Sequence, residues 1–258
     1  MRVISFCADG IKQAAKKGFY DWVLEQDADI ICVQDLRAWE GQLRGDEFFP
    51  DGYFSFFFDA VAENTNGVAI YSRKLPKAIM TGLGLGEADG EGRFMQADFE
   101  NHSFACLLGP EASLNDAGSL AHKSRFYEQL KTQLDKVRKK RRQYIVCGHW
   151  NLAHLDEDVE RAEEHDDTPG FLAAEREWLD ELYDDLGYVD AFRAINNDPD
   201  EFSWWPDGRD AGNGWRTDFQ VVSSGLSERI EYGAIYKGQV FSSHAPVIMD
   251  YDIDTESL

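Results

Sequence analysis

The chain has 258 residues, of which 43% are hydrophobic and 29% charged, enough to bury a sizeable core. With 26 Lys and Arg against 48 Asp and Glu its net charge is −22, so on average it repels a polyanion and suits a basic protein partner better. No run approaches the roughly 20 apolar residues that span a bilayer, and no charged segment followed by an apolar one precedes the first strand-like run, which together predict a cytoplasmic location.

In chain order, short apolar runs predict strands at Arg2–Phe6, Ile30–Val33, Tyr53–Phe58, Val68–Tyr71, Phe94–Phe99, Phe104–Leu108, Tyr144–Cys147, Phe219–Val222 and Val247–Tyr251. Helical periodicity falls in Ile11–Glu25, in Ser124–Lys140 with Phe126, Leu130, Leu134 and Val137 on one face, and in Ala174–Leu186. Strands follow one another without a helix from Tyr53 to Leu108, which implies antiparallel meanders and is incompatible with eight repeated βα units. The pattern predicts an α/β architecture of two mixed β-sheets packed face to face with helices outside, as one domain over residues 1–258. The four cysteines, Cys7, Cys32, Cys106 and Cys147, lie in or at the ends of strands without a CxxC pair and read as buried free thiols.

Polar residues cluster at strand ends, where loops build sites. They are Cys7 and Asp9, Gln34-Asp35, His149-Trp150-Asn151, Asp218, and Ser243-His244. Taken singly, an Asp after a strand is a turn residue more often than a functional one. Their order is more specific. Cys7-Ala8-Asp9-Gly10, Val33-Gln34-Asp35, Gly148-His149-Trp150-Asn151, Glu175-Arg176-Glu177-Trp178, Phe202-Ser203-Trp204, Arg216-Thr217-Asp218 and Ser243-His244-Ala245-Pro246 run in sequence along the chain. That series resembles the exonuclease III branch of the endonuclease/exonuclease/phosphatase family. The resemblance implies a four-layer α/β sandwich with its site at one edge of the paired sheets.

It also implies what each position does in an active relative. A carboxylate and an Asn hold Mg²⁺ or Mn²⁺, an Asp and Asn place the attacking water, and an Asp–His pair binds the phosphate. Here Cys7 replaces an Asn, Asp35 a Glu, His149 an Asp, Ser243 the Asp before the final His, and Leu108 a phosphate-contacting Tyr. Asn151, Asp218 and His244 remain. Mg²⁺ requires oxygen ligands, so these departures predict a vestigial pocket with no functional catalytic residue, no bound metal and no enzymatic activity. The alternative is a nuclease that still works with Mg²⁺ or Mn²⁺ on altered ligands. Cys7, His149 and His244 are also suitable zinc ligands.

Within the family, Gly67–Arg73, Gln96–Phe99, Pro169–Ala173 and Trp204-Trp205-Pro206-Asp207 resemble the catabolite repression control (Crc) proteins. That resemblance implies a non-catalytic repressor of mRNA translation that joins the RNA chaperone Hfq on A-rich RNA and has little nucleic-acid affinity alone. The run Arg138-Lys139-Lys140-Arg141-Arg142 is the candidate RNA or partner contact, although cations at a helix C-terminus also serve its dipole. Trp204, Trp205 and Trp215 stand where they could stack bases or pack a core.

Overall fold

The computed structural model describes the backbone of residues 1–258 and all side chains except those of Glu87 and Ser257. Its strands are β1 (Arg2–Cys7), β2 (Ile30–Gln34), β3 (Phe54–Phe58), β4 (Val68–Ser72), β5 (Ala78–Thr81), β6 (Phe94–Asp98), β7 (His102–Leu108), β8 (Gln143–His149), β9 (Tyr188–Asp190), β10 (Asp218–Ser223), β11 (Ile230–Ile235) and β12 (Val247–Tyr251). The helices are α1 (Ile11–Lys16), α2 (Phe19–Glu25), α3 (Ala117–Arg138) and α4 (Ala173–Asp180).

Two six-stranded sheets result, ordered β11-β12-β1-β2-β4-β3 and β5-β6-β7-β8-β10-β9. Each holds one parallel pair, β1 with β2 and β7 with β8, while the other pairs are antiparallel. A parallel pair needs a crossover, and α1–α2 and α3 supply the two crossovers. Two mixed sheets with helices, as expected from the pattern, are what the chain forms.

Strand alternation distributes the core among the layers. Ile30 and Cys32 of β2 join Ile145 and Cys147 of β8 in the cluster between the sheets. Ile31 and Val33, one residue out of phase, pack with Phe19, Tyr20 and Trp22 of α2, and Tyr144 and Val146 pack with Leu130 and Leu134 of α3. Strands buried on both faces therefore read as continuous apolar runs. All four cysteines are buried and free, as expected. Among the described residues no helix is long and apolar enough to cross a membrane.

The helices depart from expectation for local reasons. Ile11–Glu25 is two helices, because Gly18 sits at φ +86° and ends the first turn sequence. The helix expected from Ser124 starts at Ala117, where the side chain of Asp116 accepts a bond from Gly118 N and caps it. Beyond α4 the chain continues as a π turn over Glu181–Asp185.

Candidate active site

Sheet register gathers the polar strand ends. Parallel pairing sets Cys7 beside Gln34, so Asp9 and Asp35 emerge from adjacent strands at one edge. Antiparallel pairing of β8 with β10 puts His149 opposite Asp218. An isolated bridge from Trp204 to His244 brings in the loop before β12. Asp9, Asp35 and Asn151 all take the left-handed conformation, with φ of 50°, 54° and 50°. Such positions cost roughly 1–3 kcal/mol each and concentrate at sites where a side chain must be aimed.

The result is a cavity of about 440 Å³ lined by Cys7, Asp9, Asp35, Leu108, His149, Asn151, Ser243 and His244, with Asp218 buried against His244 and His149. The nine positions of the expected vestigial pocket are thus brought together. Asp218 is buried and accepts from Ser203 Oγ at 2.6 Å; it meets His244 Nδ1 at 2.9 Å. Its other oxygen lies 3.3 Å from His149 Nδ1, and the two imidazoles sit edge to face with centroids 4.5 Å apart. Burial pushes the Asp218 carboxyl up, but His244 and His149 outweigh it and hold it far below the usual carboxylate range. For His244, burial opposes protonation, while the charge and hydrogen bond of Asp218, with Asp9 and Asp35 beyond, raise its pKa overall.

Ser243 therefore leaves no orienting acid missing. Asp218 performs that task from β10, and Ser243 instead donates its N–H and Oγ–H to Asp9. Burial raises the Asp9 carboxyl, but His244, Ser243 and Arg37 together lower it. Arg37 reaches Asp35 at 2.6 Å and Asp9 at 3.4 Å. Asn151 donates Nδ2 to Gly109 O at 2.7 Å, which leaves its Oδ1 as the free acceptor. Leu108, on the cavity wall, offers no hydroxyl.

Three residues that matter here were not singled out from the sequence. Arg37 and Arg93 line the cavity as its cations. Lys123, on the buried stripe of α3, bonds Asn151 O at 2.9 Å and pairs with Glu175 at 2.6 Å. A lone lysine in phase with Phe126, Tyr127 and Leu130 was the available signal.

The basic run lies elsewhere. It precedes β8, whereas His149 ends that strand, so the two occupy opposite ends of the sandwich. Arg138 and Lys139 pair with Asp135, and Arg142 pairs with Asp98. Trp205 and Trp215 are buried; Trp204 stacks on His244, with centroids 5.8 Å apart.

The sequence profile of the Endonuclease/Exonuclease/phosphatase family matches residues 10–241. The chain belongs to that family. It is 31% identical over 252 residues to an exodeoxyribonuclease of Bacillus subtilis, covering 96% of this chain and 98% of that one. A DNA-(apurinic or apyrimidinic site) endonuclease of Dictyostelium discoideum is 26% identical over 260 residues, covering 98% of this chain and 71% of the relative. An AP endonuclease from Archaeoglobus fulgidus superposes with a TM-score of 0.88 at 22% identity, covering 98% and 100% of the two chains, and shares the fold. Within the family the chain is exonuclease III-like.

These relatives correct the expectation that the chain is no enzyme: nearly its whole length matches nucleases. The geometry gives a reason for the correction. Ser243 in place of an Asp implied that His244 had lost its acid, yet the fold pairs His244 with Asp218 and turns Ser243 to Asp9. Two groups of ligating atoms also gather here, Cys7 with Asp9 and His244, and His149 with Asp218 and His244. The relatives do not single out the catabolite repression control proteins.

Proposed function

We propose that the chain is a phosphoesterase of the exonuclease III type, hydrolysing phosphate esters at nucleic-acid ends or at abasic sites. The observation that carries this reading is the buried Asp218–His244 pair at the floor of a cavity walled by Asp9, Asp35, Asn151, Arg37 and Arg93. The nuclease relatives supply the substrate class.

Each side chain has a task that its surroundings permit. His244, whose pKa is raised by the Asp218 carboxylate against the opposing effect of burial, donates to a phosphate oxygen as charge builds there. Arg37 and Arg93 add positive charge to the same wall, which an acidic chain needs in order to admit a phosphate. Asn151 Oδ1 accepts from the attacking water. His149 stands where the relatives' pattern implies an Asp base; an imidazole nitrogen can take the water's proton in its place.

A divalent ion, when bound, would polarise the phosphate. The donors fit Mg²⁺ poorly, because Arg37 engages both Asp35 and Asp9 while a thiol and imidazoles occupy the remaining positions. No step above is routed through such an ion.

The test is turnover of an abasic-site duplex and of a 3′-phosphate-ended duplex, with Mg²⁺, Mn²⁺ or Zn²⁺ added in turn. Wild-type turnover should fall about 10²–10⁴-fold in His244→Ala, the range for loss of acid–base assistance. No turnover with any ion would overturn the reading. A wild-type gel shift that needs both Hfq and A-rich RNA would then favour the regulatory function that the sequence resemblance implies.

A further inference from the structure

The departures at Cys7 and His149 need not be losses. Cys7, Asp9 and His244 come from the end of β1, the loop after it and the loop before β12, and their ligating atoms lie within 4.8 Å of one another. His244 Nδ1 is engaged by Asp218 at 2.9 Å, which leaves Nε2 as the nitrogen available to a ligand. A metal-bound histidine commonly gives its second ring nitrogen to a carboxylate in this manner, and the carboxylate fixes the ring. Asp9 Oδ2 is occupied by Ser243, and Oδ1 has only the longer 3.4 Å contact with Arg37.

A second observation points the same way. His149 Nδ1 and Asp218 Oδ1 are buried without a hydrogen bond, although they lie 3.3 Å apart. Their residues are 5% and 3% exposed. Both belong to a second ligating group that shares His244 with the first.

We propose that this pocket binds a borderline transition ion of the Zn²⁺ or Co²⁺ type, through Cys7, Asp9 and His244, in preference to Mg²⁺. One sulfur, one nitrogen and one oxygen donor with an open fourth position is the composition of a catalytic zinc centre. Thiolate and imidazole donors select against Mg²⁺, and the affinity order of first-row ions favours Co²⁺ and Zn²⁺ over Mn²⁺. His149 and Asp218 hold the His244 ring from the other side. The inference rests on the phosphoesterase reading for what the ion would do, but not for whether it binds; with the ion bound, His244 Nε2 is a ligand and the ion takes over from its N–H the task of meeting the phosphate.

Co²⁺ titration of the full chain tests binding without any assay of turnover. We expect one equivalent to produce visible d–d absorption of tetrahedral strength and a thiolate-to-cobalt charge-transfer band. Equimolar Zn²⁺ should abolish both, and a hundredfold excess of Mg²⁺ should leave them. Cys7→Ser should remove the charge-transfer band while the thermal midpoint of the metal-free protein stays within a few degrees. Asp9→Asn should weaken Co²⁺ binding at least tenfold with Cys7 intact. Absent bands, a charge-transfer band that persists in Cys7→Ser, or displacement by Mg²⁺ would each overturn the metal inference. Mg²⁺-supported hydrolysis without the cobalt bands would leave the phosphoesterase standing and the soft-metal centre refuted; cobalt bands without hydrolysis under any ion would do the reverse.

Discussion

Two buried ionic clusters lie two residues apart on one stretch of chain, and they are built differently. Arg216 is fully buried and gives Asp158 bonds of 2.7 and 2.9 Å, and its third nitrogen meets Asp190 at 2.7 Å. Arg193 completes the group by reaching Asp158 at 2.8 Å. Two acids face two guanidiniums, sealed in by Phe219 and Phe192. Beside Asp218 the count is uneven: Asp218, Asp9 and Asp35 face Arg37 and His244, with a thiol and a second imidazole among them, and the group opens onto the cavity. A matched, closed cluster holds loops together. A mismatched, open one keeps groups poised to exchange protons or ligands, which is where perturbed ionisation marks function.

The largest effect should come from breaking the closed cluster. Asp158→Ala leaves Arg216 buried with only Asp190 and should cost about 3–5 kcal/mol of stability, the usual penalty for orphaning a buried charge. Urea unfolding measures it, and a loss under about 1 kcal/mol, typical of an exposed pair, would dissolve the distinction between the clusters. Burial pushes the Asp158 carboxyl up, but Arg216 and Arg193 outweigh it and lower its pKa from 3.8 to about 2. Because the folded value is the depressed one, its contribution is complete above the unfolded value of 3.8 and is lost as pH falls towards 2. Wild-type stability should therefore decline over that window, and Asp158→Ala should decline less.

The open cluster should instead respond in rate. Asp218→Asn removes the charge that raises His244, so the imidazolium is lost at lower pH than in the wild type. If protonated His244 is the donor, the descending limb of kcat/KM against pH moves towards acid in Asp218→Asn. An unmoved limb would assign that limb to another group and demote the pair to a structural role. The expected fall in kcat is about 10²–10⁴-fold.

How much of this could be read beforehand depended on burial. Strands covered on both faces, such as β2 and β8, announced themselves as apolar runs, and even the edge strand β3 did so through Phe54, Phe56, Phe57 and Phe58. The strands β5, β9 and β11 went unread. All three lie at sheet edges and are short or partly exposed, so their residues carry little alternation. The site was legible as a set of positions but not as a set of pairings. Asp158 is one of many acidic residues between positions 156 and 167, and nothing in the sequence marks it as the partner of Arg216. Ser243 looked like the loss of an acid because a linear motif names neighbours in sequence, whereas His244 takes its carboxylate from β10.

The smallest effect concerns the five cations at residues 138–142, and it separates two uses of the molecule. They stand at the far end of β8 from His149, and Arg138, Lys139 and Arg142 already face Asp135 or Asp98. Lys140 and Arg141 are exposed. Changing both to Gln should leave stability within about 0.5 kcal/mol, as for ordinary surface substitutions. It should also leave turnover of a short duplex within twofold, since neither side chain lines the cavity. A partner or RNA that docks on this end would lose affinity in the same variant, and more so at low salt, because each phosphate contact removed reduces the counterion release that drives binding. Unchanged turnover with weakened RNA or Hfq capture would show that the run serves a second surface. A large fall in turnover would mean that substrate wraps the whole sandwich, and the separation of the two ends by function would be lost.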